Sequence, residues 1–419
     1  MIKIELTNEI KQYHKKYFKT KIRPNFKGHK IEFDNDYLKF EHEEFMKFCS
    51  QNYEDLAIGN FDKLRKINKD IKKKYPIILE MIDKKKCTYK NKKDVLYKDV
   101  LLDIFGYNKF IDISIFEYIK KQAILDTNEN KYSYMVFNKM IDILNDIYSE
   151  KVAIIESYKN EYRKSLKHMS VKNFEKKFNE DLFNIDITID NFKKHYNFED
   201  IWSPYMFIFI TGLRVCPYCN RQYITPVYSS SGKLRADLDH FLPKNKYPFF
   251  SMSLYNLIPS CKFCNSSLKG TKEFDFDSLN PYECNIDDYI KFEIDLASNT
   301  NNIIVNPIKD KDKAKDYLNM FKIETLYNYH RNQASDLLKK KLIYSDEYLE
   351  NMYKYFGNSF SSFDEMKELV IGYTISKENI NDEPLAKFKR DISKQLGFIE
   401  EVDKDTIDKL KLLHTSITE

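Results

Sequence analysis

The chain has 419 residues, 69 of them Lys or Arg against 64 Asp or Glu. That length supports two or three cores, and 42% hydrophobic residues are too many for wholesale disorder. The longest purely apolar run, Tyr205–Ile210, falls far short of the roughly 20 residues of a membrane span, and the Lys-rich start carries no secretory signal; a cytoplasmic location away from membranes is expected.

Charge is distributed unevenly. Residues 1–30 carry nine Lys or Arg against Glu5 and Glu9, and residues 201–275 carry nine against four acids. Such clustering suits a polyanionic partner. In chain order, helical spacing appears first at Phe137, Met140, Ile141, Leu144 and Tyr148. Alternating segments follow: Tyr223–Tyr228 and Lys233–Asp239, joined by Ser229-Ser-Ser-Gly232, predict one hairpin. Lys291–Leu296 and Ile303–Val305, across Ser298–Asn302, predict a second. Helical spacing returns at Ala334, Leu337, Leu338 and Leu342. Ser362-x-x-Glu365 reads as a capping box, and Leu385, Phe388, Ile392 and Leu396 form a last stripe that Gly397 stops. The fold class is therefore α+β and mostly helical. A small central core at 201–306 is inserted between an N-terminal helical region (1–200, with a basic arm) and a C-terminal one (307–419), with boundaries near residue 200 and Asn306-Pro307.

The chemistry concentrates in that core. Of seven cysteines, four form Cys216-Pro-Tyr-Cys219 and Cys261-Lys-Phe-Cys264, while Cys49, Cys87 and Cys284 stand alone as ordinary thiols. In a reducing compartment paired thiols read as metal ligands. Four thiolates close a tetrahedral zinc site and leave no position for water, so this zinc would be structural. The 41 residues between the pairs contain Leu238-Asp239-His240-Phe-Leu-Pro-Lys244 and Tyr255-Asn256-Leu-Ile-Pro259, and the second pair runs into Asn265-Ser-Ser-Leu-Lys269.

That ordered series resembles the HNH endonucleases, whose core is a two-stranded hairpin and a helix around one divalent metal. The likeness covers about a sixth of the chain. Phosphodiester hydrolysis needs an activated water and a cation to offset charge on the phosphate. The resemblance implies that His240 is the general base and that Asp239 and Asn265 supply oxygens to Mg²⁺ or Mn²⁺. It implies that Asn256 bonds backbone across the loop and holds His240. Lys269, one helical turn past Asn265, is a candidate phosphate contact, with Arg221 and Lys244 as weaker ones. In a regular strand Asp239 and His240 would face opposite ways, so a site using both requires the strand to end, curl or bulge before Pro243.

The strings Cys-Pro-Tyr-Cys-Asn, Asp-His-Phe-Leu-Pro-Lys and Leu-Tyr-Asn-Leu-Ile-Pro-Ser-Cys resemble bacterial HNH nucleases of anti-phage defence, with the nuclease subunit of Septu-type systems and related retron effectors as the nearest comparison. Members commonly work beside an ATPase subunit that would regulate cleavage. The expected substrate is DNA before RNA. An RNA-cleaving nuclease acting on tRNA and a non-catalytic, zinc-stabilised nucleic-acid-binding module stay open as alternatives.

Overall fold

The computed structural model describes residues 1–28, 30–113, 115–129, 133–147, 149, 152–165, 201–229, 232–297, 301–372 and 377–399. Among them helices dominate, with small antiparallel sheets between. The N-terminal helices are α1 (Asn8–Tyr17), α2 (Asp36–Gln51), α3 (Tyr53–Ile58), α4 (Phe61–Lys74), α5 (Pro76–Lys84), α6 (Tyr97–Ile104), α7 (Ile115–Thr127), α8 (Tyr134–Ile147) and α9 (Val152–Ser165). A short three-stranded sheet, β1 (Ile31–Glu32), β2 (Lys86–Tyr89) and β3 (Lys92–Leu96), sits among them.

Helix α4 shows how local sequence dictates these elements. The Asn60 side chain accepts from the Lys63 amide at 3.1 Å, and Lys72–Lys74 lie at the negative end of the helix dipole. Phe61, Leu64, Ile67 and Ile71 bury one face. Pro76 then pushes Tyr75 out of helical conformation and ends the run.

After α10 (Pro204–Thr211) come three antiparallel pairs: β4 (Val227–Ser229) with β5 (Gly232–Leu234), β6 (Asp237–His240) with β7 (Leu257–Ser260), and β8 (Ile290–Ile294) with β9 (Ile303–Pro307). The C-terminal helices are α11 (Lys311–Phe321), α12 (Ile323–Tyr327), α13 (Arg331–Ile343), α14 (Asp346–Phe356), α15 (Phe363–Ile371) and α16 (Ala386–Gln395). One continuous apolar core runs through all three regions.

The second expected hairpin forms as β8–β9, with the inward alternation of Ile290, Phe292 and Ile294. The first does not form as expected. Only Val227–Ser229 and Gly232–Leu234 pair there, while Tyr223 bridges back to Val215 and Asp237–His240 pairs with β7. Burial explains the switch: all four residues of β7 are buried, whereas Val227 and Leu234 are exposed, so pairing with β7 removes far more apolar surface from water. Ser362 caps α15, but the Glu365 carboxylate takes the amide of Ser361 rather than closing the box on Ser362. The stripe on α8 is buried from Phe137 to Leu144; Tyr148, residues 166–200 and parts of both expected turns lie outside the described residues.

Candidate functional site

Two centres share the β6–β7 pair. The first is a cluster of four buried thiols, Cys216, Cys219, Cys261 and Cys264, whose sulfurs all lie within 4.8 Å of one another. The Cys219 and Cys261 sulfurs are 3.9 Å apart. Tetrahedral zinc with bonds of about 2.3 Å spaces its sulfurs about 3.8 Å apart, so this cluster could hold such an ion. The amide of Cys261 points at Cys216 Sγ at 3.3 Å, the kind of donor that stabilises a thiolate.

Local backbone shapes the first thiol pair. Asn220 adopts a left-handed conformation, and its amide closes the turn on the Cys216 carbonyl at 2.9 Å. Its side chain and carbonyl then grip the C-terminal region: Nδ2 donates to Ile380, Oδ1 accepts from the Lys387 amide and its carbonyl from Leu385. Tyr317 and Tyr327 donate to the carbonyls of Tyr218 and Cys219 at 2.6 and 2.7 Å. The cluster thus ties the C-terminal helices to the core. Cys49, Cys87 and Cys284 stand apart from it, with thiols pushed up by burial.

The second centre is His240. Strand β6 stays paired through His240, which lies opposite Leu257, with Asp239 opposite Ile258. The strand does not curl, so the two side chains leave on opposite faces.

On one face Asp239 is buried, and both carboxylate oxygens accept from the Lys269 ammonium at 2.7 Å. Tyr218 donates to the same carboxylate at 2.6 Å. Lys269 also donates to the His240 carbonyl at 2.6 Å, and burial holds its pKa below the usual lysine value against the pull of Asp239. Asn265 Nδ2 meets Asp237 at 3.1 Å. The match is geometric. Asn265 and Lys269, four apart on the short helical segment Phe263–Lys269, address Asp237 and Asp239, two apart on one face of β6.

Lys269 does not reach outward for a phosphate, because its ammonium neutralises a buried carboxylate. Asp239 is held by Lys269 and Tyr218, and Asn265 presents its amide nitrogen to Asp237.

On the other face the half-buried His240 donates from Nε2 to the Ser251 carbonyl at 2.9 Å. A carbonyl only accepts, so Nε2 carries the proton and Nδ1 carries a lone pair. No group among the described residues meets Nδ1. Burial lowers the imidazole to about 4 against the Ser251 hydrogen bond, with the positive charges of Lys244 and Lys269 adding to the depression, so the ring is neutral at physiological pH.

Asn256 follows in the short turn Leu254–Asn256 ahead of β7. It is fully buried; Oδ1 accepts from the Leu242 amide at 2.7 Å, and Nδ2 donates to the Leu242 and Phe250 carbonyls at 3.2 and 3.0 Å. It therefore closes the 242–250 loop beside the carbonyl that fixes His240. Of the remaining cations, Arg221 donates from Nε to His330 Nε2 at 3.1 Å, so it faces the C-terminal helices. Lys244 lies 2.7 Å from the Tyr107 hydroxyl and 4.0 Å from that ring's centre.

Two N-terminal contributions lie outside every motif of the chain. Tyr107 sets its ring edge-on to His240 at 5.1 Å. His14 donates to the Met252 carbonyl at 2.8 Å and accepts from Trp202 at 3.1 Å, anchoring the residue after Ser251. Neither residue belongs to a motif, so only tertiary packing reveals them.

No family model matches the chain, and no solved structure matches it. An alignment 173 positions long, covering 37% of this chain, shows 28% identity to protein ea31 of Escherichia phage lambda. The chain spans about half, 52%, of that protein's length. No helix among the described residues is long and apolar enough to cross a membrane.

Proposed function

We propose that this chain is an HNH-type endonuclease that hydrolyses phosphodiester bonds, in DNA before RNA, as the effector of a bacterial anti-phage system regulated by an ATPase subunit. One observation carries the enzymatic part. At the end of a two-stranded pair followed by a short helical segment, the neutral His240 ring is held by its Nε2 proton while the Nδ1 lone pair has no partner among the described residues. A binding module needs no such base. The motif resemblance carries the defence part.

In the proposed reaction His240 Nδ1 takes a proton from water as the water oxygen attacks phosphorus and the ester oxygen leaves. A phosphate drawn to Lys244 raises the basicity of His240 by bringing negative charge near the ring. Asn256 and the Ser251 carbonyl keep the ring aimed. A divalent cation supplies charge neutralisation in this family of reactions, and at Asp239 it would compete with the Lys269 ammonium.

The test incubates purified protein with plasmid and with tRNA, each with Mg²⁺ and with EDTA. Mg²⁺-dependent nicking that His240→Ala abolishes, with folding and zinc content unchanged, is expected. Normal cutting by His240→Ala would remove the assignment. Binding without cutting favours the second reading, a zinc-stabilised nucleic-acid module, which the commitment of Asp239 to Lys269 supports.

A further inference from the structure

We infer that Tyr107, from the N-terminal helical region, is a positioning residue that holds Lys244 and His240 against the same substrate phosphate; the inference rests on the nuclease reading of His240. Tyr107 is delivered by a tight turn. Gly106 follows α6 with φ +75°, where a side chain would be strained and its Cβ would press on Ile22 at 3.1 Å. The amides of Lys109 and Phe110 close back on the Gly106 carbonyl at 3.0 and 3.1 Å. Phe105 before it is fully buried, so the turn is fixed from within.

From that turn one half-buried ring makes two contacts of different kinds. It lies T-shaped against the His240 imidazole, with centroids 5.1 Å apart, and restricts that ring's rotation. Its hydroxyl and π-face both meet the Lys244 ammonium, at 2.7 Å and at 4.0 Å to the centroid. A lysine on a flexible four-carbon stem is otherwise poorly aimed. The hydroxyl takes one of three ammonium protons, and no other partner of Lys244 occurs among the described residues. The free donors and the His240 lone pair therefore belong to one neighbourhood. Helix α6 also packs on the Pro248–Phe250 turn that leads into Ser251, so the element presenting Tyr107 supports the other side of His240 as well.

The experiment measures steady-state cleavage of a labelled DNA duplex with Mg²⁺ by wild type, Tyr107→Phe and Tyr107→Leu, with thermal melts of each. Tyr107→Phe keeps the ring and loses the hydroxyl; KM should rise roughly 10-fold with kcat kept, the lower end for one hydrogen bond to a charged donor. Tyr107→Leu frees both partners, and kcat should fall roughly 10- to 100-fold as well, with the melt close to wild type. Wild-type constants for Tyr107→Leu would overturn the inference, as would equal losses in both variants that follow a lowered melting temperature. A wild-type chain that cuts no DNA refutes the nuclease reading itself, an outcome distinct from a cutting enzyme indifferent to Tyr107.

Discussion

Replacing Lys269 by Met removes the sole ammonium facing Asp239 among the described residues while nearly preserving side-chain length. Both partners are buried, with side chains 4% and 5% exposed, so solvent screens the pair little. Three short contacts vanish together, two to the carboxylate and one to the His240 carbonyl. Tyr218 alone remains on the carboxylate. Breaking a buried pair from one side costs about 3–5 kcal/mol, because the surviving charge is left uncompensated. Urea unfolding followed by circular dichroism, in buffer that retains zinc but lacks Mg²⁺, should show a loss of that size. Asp239→Asn should cost less, and the double variant should cost less than the sum of the singles, since no stranded charge remains. The freed carboxylate should also gain an ion. Mg²⁺ should restore about 2.7 kcal/mol to Lys269→Met at a hundredfold excess over its dissociation constant, and little to wild type. A Lys269→Met variant within about 0.5 kcal/mol of wild type would refute the argument that Asp239 is a buried, ionised carboxylate.

Further outcomes are expected. Burial holds His14 near 4, below the 6.5 of an unfolded histidine, so the folded state excludes a proton that the unfolded chain accepts. Its stabilisation is complete above pH 6.5 and is lost as pH falls toward 4, by about 3 kcal/mol. His14→Gln should flatten that part of the stability–pH curve, and an unchanged curve would show that His14 is accessible to protons. Asn256→Ala strands the Leu242 amide and the Leu242 carbonyl in the interior, while the Phe250 carbonyl keeps the Ser253 amide, and should cost roughly 2–4 kcal/mol with loss of cleavage; thermal melts and the plasmid assay check both. Cys261→Ser should lower bound zinc, read by atomic absorption, together with the melting temperature, whereas full retention of both would count against a structural metal.

Features whose physics is local or set by residue type are legible in the chain alone. Two Cys-x-x-Cys pairs can converge on one ion wherever the intervening chain goes, and the four sulfurs do converge. Asn256 carries the donors and acceptor that a loop needs, and it closes that loop. Helical stripes such as Phe388, Ile392 and Leu396 depend only on a period of 3.6, and they are buried, whereas Leu385 sits just before the helix in a left-handed conformation. Tertiary structure decided which segments meet. The partner of Asp237–His240 is chosen by competition for burial, which spacing does not encode, and β7 wins over the nearer strand. That pairing keeps the strand regular through His240 and so parts Asp239 from His240 across the sheet. It also puts Asp239 where a lysine 30 residues away can neutralise it. Tyr107 and His14 reach the site from 137 and 238 residues away, distances over which no periodicity or motif carries information. Local sequence specifies conformations and ligand types; only the folded core fixes which side chain each charge will face.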